Sequence, residues 1–144
     1  MTYWHRLKGL ALYPTESQVN PNDLEGHWNN MLLLEVDQET RGKFRYQYVG
    51  SSIIEAYGID PTGKAHDSQA VPNVRSMLEL GASVAINGGI GMDESWFLNA
   101  QYKKIMYRCS LVPLCSPTDR ANVHFILGLM SWRYENPALA KSSG

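Results

Sequence analysis

The sequence contains few of the residues that build metal and disulfide sites. It has two cysteines and four histidines in 144 residues. Cys109 and Cys115 lie six positions apart around a Pro-Leu step, a poor spacing for a zinc site, and two cysteines are too few for a disulfide framework. Cysteine usage of this kind is typical of a reducing compartment, so we expect a cytoplasmic protein.

Long apolar runs and an excess of one charge are also missing. The 13 basic and 14 acidic residues leave a net charge of -1, so no broad field attracts nucleic acid or an anionic membrane. No apolar stretch approaches the roughly 20 residues that span a bilayer. We therefore predict no nucleic-acid partner and no membrane segment, and the 44% hydrophobic content is enough for one core.

The most informative stretch that is present covers residues 44–58. Aromatic and polar residues alternate over 44–49, whereas apolar residues recur at three and four over 51–57. The change of period at Gly50 predicts a strand that turns into a helix. Gly50 can adopt a positive φ without steric cost, and Ser51 or Ser52 can cap the helix.

The same rules place the remaining elements. Apolar spacing predicts an amphipathic helix over 2–12, a short helix over 23–28 and a longer helix over 72–86. Strands are predicted at 31–36 and 43–49, joined as a hairpin, and at 92–99, 102–114 and 122–132. We expect one domain over 1–133 and a frayed polar tail over 134–144.

Alternation along the later strands separates two faces of the predicted sheet. Ile105, Tyr107 and Cys109 share the face that we expect to be core. Strand 122–132 is apolar on both faces, which predicts a central position. Apolar side chains on the outer face need a cover, either the N-terminal helix or a second subunit. The predicted interface residues are Trp4, Leu7, Met106, Ile126 and Met130. For Trp4 and Leu7, packing on their own domain is the simpler alternative.

The predicted order of two strands, crossover helices and three strands resembles the PAS domain. More narrowly, it is similar to a single-domain PAS-like family common in alphaproteobacteria. The resemblance spans about residues 3–133 and rests on an ordered set of short motifs. These include Trp4 with Lys8-Gly9, Leu33-Leu34-Glu35-Val36, Phe44-Arg45-Tyr46, Val49-Gly50-Ser51, Tyr57-Gly58, Thr62-Gly63-Lys64, Leu111-Val112-Pro113-Leu114 and Leu127-Gly128.

The resemblance implies an α+β fold: a five-stranded antiparallel sheet with crossover helices on one face and an N-terminal amphipathic helix. It also implies a sensory module that forms a homodimer, binds a signalling protein and encloses a small apolar pocket. Aromatic and soft side chains could line this pocket, or the same side chains could fill a tight core. They are Tyr46, Tyr48, Ile54, Tyr57, Met77, Trp96, Tyr107, Cys109 and Leu127.

Two cofactors of PAS-like proteins have little support in the residues. The resemblance implies that covalent flavin binding requires an Asn-Cys-Arg motif on a crossover helix, and neither cysteine lies there. Haem requires an axial ligand, usually a histidine of the long crossover helix, and residues 72–86 contain none. Only His66 or His124 could serve if it pointed inward. We expect neither flavin nor haem.

A small cone-shaped isomerase or hydrolase is the alternative function. It needs an acid or base in a pocket, and the candidates are Asp93, Glu94, His124, Tyr107 and Tyr57. Asp93 and Glu94 are adjacent on a predicted strand, so their side chains face opposite ways, and a solvated edge is the simpler interpretation. The glycines of 88–91 lack the Lys-Ser/Thr pair of a phosphate-binding loop. We predict that the protein is not an enzyme.

Overall fold

The computed structural model describes residues 27–40 and 42–135. The predicted helix over 2–12, with Trp4 and Leu7, and the predicted tail from 136 onward lie outside these residues. The short helix predicted to end at Trp28 lies mostly outside them as well, and a 3₁₀ turn occupies Trp28–Asn30. In the described parts of the chain, no helix is long and apolar enough to cross a bilayer.

Five strands and two helices follow the 3₁₀ turn. The strands are β1 (Met31–Val36), β2 (Phe44–Val49), β3 (Gly91–Leu98), β4 (Lys104–Leu114) and β5 (Phe125–Tyr134). The helices are α1 (Ser51–Tyr57) and α2 (Arg75–Asn87). All neighbouring strands are antiparallel, in the order β2-β1-β5-β4-β3. The predicted five-stranded antiparallel sheet with crossover helices is confirmed, and the last strand, β5, is central as predicted.

Gly50 connects β2 to α1 for a different reason from the predicted one. Its φ is -69°, and no side chain caps α1. A Cβ at Gly50 would instead collide with the backbone carbonyls of Trp28 and Asn29. Glycine is thus needed because the 3₁₀ turn passes against the start of α1. The positive φ occurs at the other end of the helix, where Gly58 has φ 73°.

The inner face of the sheet packs against α1 and α2 and forms the main core. Alternate residues of β4 enter it, as their polarity predicts, and so do Leu32, Leu34 and Val36 of β1. On β2 the inner residues are Phe44, Tyr46 and, after a register shift, Val49. α2 contributes its apolar stripe and contacts β3, β4 and β5. The largest fully buried inner side chains are Tyr46, Tyr57, Phe97, Leu32, Leu34, Ile53, Met77, Ile105, Leu111 and Ile126.

The outer face carries a second apolar cluster, over β1, β5 and the last residues of β4. Met31, Val112, Leu114 and Leu127 are buried there, with Leu33, Tyr48, Phe125 and Leu129 partly buried around them. Three predicted placements on β5 are therefore wrong. Ile126 and Met130 lie in the inner core, and Leu127 lies on the outer face.

The predictions for β5 are wrong because both faces of this strand are apolar, so polarity does not show which of its residues point into the inner core. The phase follows from pairing: Met130 lies opposite Cys109, and Ile126 opposite Leu34. A shift of one residue would exchange the two faces.

Candidate functional site

Four aromatic rings meet at the centre of the inner core. The ring centroids of Tyr46 and Tyr57 are 5.6 Å apart, those of Tyr57 and Phe97 are 5.2 Å apart, and those of Phe97 and Tyr107 are 5.9 Å apart. Edge-on and tilted contacts at such distances stabilise buried aromatic pairs. We call these four residues the ring cluster. It connects β2, α1, β3 and β4 through side chains alone.

A buried hydrogen bond joins two members of the ring cluster. The Tyr46 and Tyr57 hydroxyl oxygens are 2.6 Å apart, and either can donate. Burial raises the pKa of both phenols well above the ordinary value, although the bond from Tyr57 partly offsets the effect on Tyr46. Both hydroxyls therefore remain neutral at physiological pH, and each satisfies the other in an apolar setting.

Asp93 forms the polar end of this arrangement. Tyr107 Oη donates to Asp93 Oδ2 at 2.6 Å, and Ser76 Oγ donates to Asp93 Oδ1 at 2.9 Å. Burial, and then the hydrogen bond to Asp93, raise the pKa of Tyr107 far above its usual range. We call Ser76, Asp93 and Tyr107 the carboxylate cluster. Among the described residues, Asp93 has no cationic partner.

Cys109 lies beside the carboxylate cluster and is 2% exposed. Burial, followed by the negative charge of Asp93, raises the pKa of its thiol to about 12. A thiol in that state is protonated at neutral pH and is a weak nucleophile. The chemistry of Cys109 is therefore that of a small apolar core residue.

The structure brings together only part of the predicted pocket. Tyr46, Tyr57, Met77, Tyr107 and Cys109 lie in the inner core, and Ile54 packs at its margin. The others are on the opposite side of the sheet: Tyr48 and Leu127 in the outer cluster, and Trp96 half exposed. Tyr48 lies on the outer face because a bulge at Gln47 interrupts the alternation of β2: Leu34 pairs with Tyr46, but Leu33 pairs with Tyr48. Trp96 lies outside because the inner face of β3 is formed by its odd-numbered residues, which include Asp93 and Phe97.

Sequence reasoning missed Phe97 and Ser76, and it considered Asp93 only as a candidate acid or base or as a solvated residue. The interpretation of Asp93 as a solvated edge residue is wrong, because its side chain is half buried and bound by two hydroxyls. Phe97 lies four positions after Asp93, so a strand places both on one face. The apolar Phe97 on the same face was therefore the sequence signal that could have placed Asp93 on the inner side of the sheet. Ser76 belongs to α2 and carries no sequence signal of its own.

Ser52 links three parts of the fold next to the ring cluster. Trp132 Nε1 donates to the Ser52 carbonyl at 3.0 Å and to Ser52 Oγ at 2.9 Å. Asn30 Nδ2 donates to Ser52 Oγ at 3.2 Å and to the Met130 carbonyl at 3.1 Å. These bonds, which we call the Ser52 clamp, join the 3₁₀ turn, α1 and β5.

A groove of about 650 Å³ lies on the outer face at the opposite end of the sheet, over β3, β4 and β5. Trp96 is 50% exposed, and Lys104 Nζ lies 4.4 Å from its ring centroid. Arg108 forms an exposed ion pair with Glu94 at 3.4 Å. We call this surface the outer groove. Its lining is Glu94, Ser95, Trp96, Met106, Tyr107, Arg108, Ser131, Trp132 and Arg133.

The two histidines considered as haem ligands both take part in local hydrogen bonds. The Phe44 N–H donates to His66 Nδ1 at 3.0 Å, and His124 Nε2 lies 2.9 Å from Asp119 Oδ2. Both side chains are part-buried. Within residues 27–40 and 42–135, no group of His, Cys, Asp and Glu side chains could hold a metal ion.

Comparison with known proteins agrees with this architecture. The fold is similar to a light-oxygen-voltage domain studied with a flavin analogue, at 11% identity, a TM-score of 0.56 and coverage of 85% of this chain and 88% of that one. It is also similar to the light-state structure of the blue-light photoreceptor Aureochrome1 LOV, at 10% identity, a TM-score of 0.53 and coverage of 86% and 94%.

A third similar structure is the PAS domain of the fruit-fly ELK potassium channel, at 11% identity, a TM-score of 0.53 and coverage of 76% and 90%. Identities this low establish the fold alone. No curated protein matches the sequence. The family model described as PAS domain matches residues 1–131. That match covers most of the chain, which therefore belongs to the PAS domain family.

Proposed function

We propose that this sensory or regulatory PAS module acts by binding a signalling protein through the outer groove. PAS domains are generally sensory and non-enzymatic modules, and they commonly mediate protein interactions and dimerise. The observation that carries the proposal is the composition of the outer groove, where an exposed tryptophan and a methionine lie among two arginines and a glutamate.

Such a surface is suited to protein recognition. Tryptophan, methionine and arginine are enriched in interfaces, and aromatic and arginine side chains supply most of the binding energy. Trp96, Met106 and Arg108 project from paired strands β3 and β4, so the backbone beneath them is already ordered. Little entropy is then lost when a partner binds.

The packing of the inner core also supports protein binding over a resident ligand. The ring cluster occupies the space between the sheet and the helices, and all its members are at most 3% exposed. Among the described residues, no buried side-chain nitrogen or oxygen lacks a hydrogen bond. A small ligand that gates the module would have to separate Tyr46 from Tyr57, and this separation would free two hydroxyls to bind it.

The isomerase or hydrolase alternative has less support in the geometry. Glu94 faces Arg108 on the outer side, whereas Asp93 binds Tyr107 and Ser76 on the inner side. Paired carboxylates on one site are thus not available from these two residues. The cytoplasmic location, the alphaproteobacterial relationship, and the division into a domain over 1–133 and a tail over 134–144 stay predictions.

A photo-crosslinking amino acid at Met106 tests the proposal. Introduced there and activated in host cells, it should give a discrete adduct with another protein. The same amino acid at Ile86, which is 67% exposed at the end of α2, is the matched control. A heterologous adduct at 106 and none at 86 supports the proposal. Its absence at 106, or the same adduct at both positions, contradicts it.

A further inference from the structure

The two edge strands of the sheet, β2 and β3, differ in their backbone hydrogen bonds to neighbouring segments. At the β2 edge, residues 63–66 pair with β2 around an isolated bridge between Arg45 and Ala65. Tyr46 N–H donates to the Lys64 carbonyl, Gly63 N–H to the Tyr46 carbonyl, and His66 N–H to the Phe44 carbonyl. At the β3 edge, no backbone hydrogen bond joins the free side of Gly91–Leu98 to another segment of the described chain. Within residues 27–40 and 42–135, the β3 edge therefore presents a longer row of unpaired N–H and C=O groups than the β2 edge.

The open edge is long, straight and apolar on its outer side. β3 pairs with β4 over eight consecutive residues without a register shift. Its outward side chains include Met92, which is 72% exposed, Trp96, which is 50% exposed, and Leu98, which is 48% exposed. Natural proteins protect edges of this kind with a bulge, proline, lysine or a covering segment. Among the described residues, β3 has no bulge, proline, lysine or covering segment. Its two carboxylates, the inward Asp93 and the outward Glu94, are each bound within their own copy, so the backbone groups of the edge stay open to another chain.

The spacing of the outward side chains favours a second copy of β3 as that chain. In an antiparallel pair centred on Ser95, Met92 lies opposite Leu98 of the second copy and Glu94 lies opposite Trp96. Both contacts occur twice because the arrangement has two-fold symmetry. The apolar residues at the ends of the strand then cover each other, and the two glutamates remain apart.

Neighbouring registers are less favourable. A pair centred on Glu94 places the two glutamate side chains directly opposite, where like charges destabilise a sheet. A pair centred on Trp96 places Glu94 opposite Leu98 and leaves Met92 without a partner on β3, because its opposite position lies beyond Leu98. The charge and the length of β3 thus select the register centred on Ser95.

The inner side of the edge has room for the added strand. A groove of about 580 Å³ runs along the β3 edge beside the start of α2, and its lining includes Ser76 on the helix and Ser95 to Leu98 on the strand. Arg75 and Glu79, which pair with each other on α2, have side chains 81% and 67% exposed. Ser95, the residue at the centre of the register, is small, so the strands can approach there.

We propose that β3 pairs antiparallel with β3 of a second copy, with Ser95 on the two-fold axis, and that the two five-stranded sheets become one continuous sheet. This proposal deepens the interaction role proposed above, on which it rests, by naming a second copy as a partner and β3 as its contact. The outer groove of each copy would adjoin that of the other, since Glu94 and Trp96 border both features.

A cysteine scan of the purified full chain tests the register. Opposite Cα atoms in an antiparallel pair lie about 4.5–5.5 Å apart, which suits a disulfide. Ser95→Cys should therefore form a disulfide dimer under oxidised glutathione. Leu98→Cys is the matched control, because it lies about 20 Å from its own copy at 3.4 Å per residue. The native cysteines are buried and should not interfere.

Sedimentation equilibrium of a second pair of variants tests the interface without crosslinking. Met92→Lys places a charge on the edge and should weaken dimerisation at least about ten-fold. Ile86→Lys, an equally exposed apolar position on α2, should leave it unchanged. Circular dichroism checks that both variants are folded.

A monomeric wild-type chain at high micromolar concentration would overturn the proposal, as would equal crosslinking of Ser95→Cys and Leu98→Cys. Both experiments use purified protein alone. Failure here with a heterologous adduct at Met106 in cells rejects the β3 pairing and retains the outer groove. A dimer of the purified chain without a heterologous adduct at Met106 retains the β3 pairing and rejects the outer groove as a partner site.

Discussion

The two faces of the sheet are built from the same strands but organised differently. On the inner face, the ring cluster and the carboxylate cluster tie β2, β3, β4 and both helices together through hydroxyl and aromatic contacts. On the outer face, an apolar cluster at one end gives way to an exposed, charged groove at the other. The inner face therefore determines stability, and the exposed part of the outer face is available for recognition.

The largest expected effect comes from the centre of the inner face. Tyr57→Ala removes a fully buried ring that touches two neighbours, and it also leaves the Tyr46 hydroxyl without its partner. We expect a loss of about 3–5 kcal/mol in the free energy of unfolding. Trp96→Ala, on the outer face, should cost under about 1 kcal/mol and reduce partner binding instead. Urea denaturation of both variants measures the contrast, and equal losses would contradict it.

A pair of neighbouring residues sharpens the comparison. Asp93→Asn weakens two hydroxyl-to-carboxylate hydrogen bonds on the inner face and should cost about 1–3 kcal/mol. Glu94→Gln loses only an exposed ion pair on the outer face and should cost under about 0.5 kcal/mol. The same denaturation experiment applies to both. A larger loss of unfolding free energy for Glu94→Gln would contradict this expectation, because the exposed Glu94–Arg108 ion pair would then stabilise the fold more than the Asp93 hydrogen bonds do.

High pH should destabilise the inner face selectively. The native pKa values of Tyr46, Tyr57 and Cys109 are all raised, so the native state keeps protons that the unfolded state releases. The stability from these groups is therefore complete below the ordinary thiol pKa of about 8.5. It is lost as pH rises past the ordinary thiol and phenol pKa values of about 8.5 and 10 toward the raised native values.

Tyr46→Phe provides the control for the alkaline effect. The variant should cost about 1 kcal/mol at neutral pH, but it should lose less stability than the wild type between about pH 9 and 11, because one fewer buried group titrates in its unfolded state. Thermal unfolding followed by circular dichroism across this range measures both slopes. Parallel curves for the two proteins would exclude Tyr46 as a source of the pH dependence.

The smallest effect is expected at the rim of the outer groove. Arg108→Gln breaks an ion pair whose side chains are 69% and 72% exposed, so stability should change by less than about 0.5 kcal/mol. Partner binding should weaken, and its dependence on salt should become shallower. Binding of the crosslinked partner, once purified, at two salt concentrations checks this expectation against the wild type.

Sequence reasoning was most successful where polarity is asymmetric. Alternation fixed the inner position of Tyr107 and Cys109 on β4, because the opposite face carries Lys104 and Arg108. It failed on β5, where both faces are apolar and only pairing with β1 and β4 determines the phase. Tyr46 and Tyr57 were recognised as pocket residues, whereas the hydrogen bond between them depends on how α1 packs on β2.

The carboxylate cluster shows why the rest of the candidate site was missed. Ser76 and Asp93 are 17 residues apart and lie on a helix and a strand, so no local pattern relates them. Gly50 illustrates the same limit. Its position in the chain was informative, but the reason for it, contact with the backbone of Trp28 and Asn29, exists only in the folded protein.

The Ser52 clamp has a mechanical consequence. One serine joins the residues that precede β1, the first turn of α1 and the end of β5, and Gly50 fits against the first of these without any space for a side chain. Displacement of the chain before β1 would therefore pull on α1, and hence on Tyr57 at its other end. The Ser52 clamp would thus transmit movement of the chain before β1 through α1 to the ring cluster.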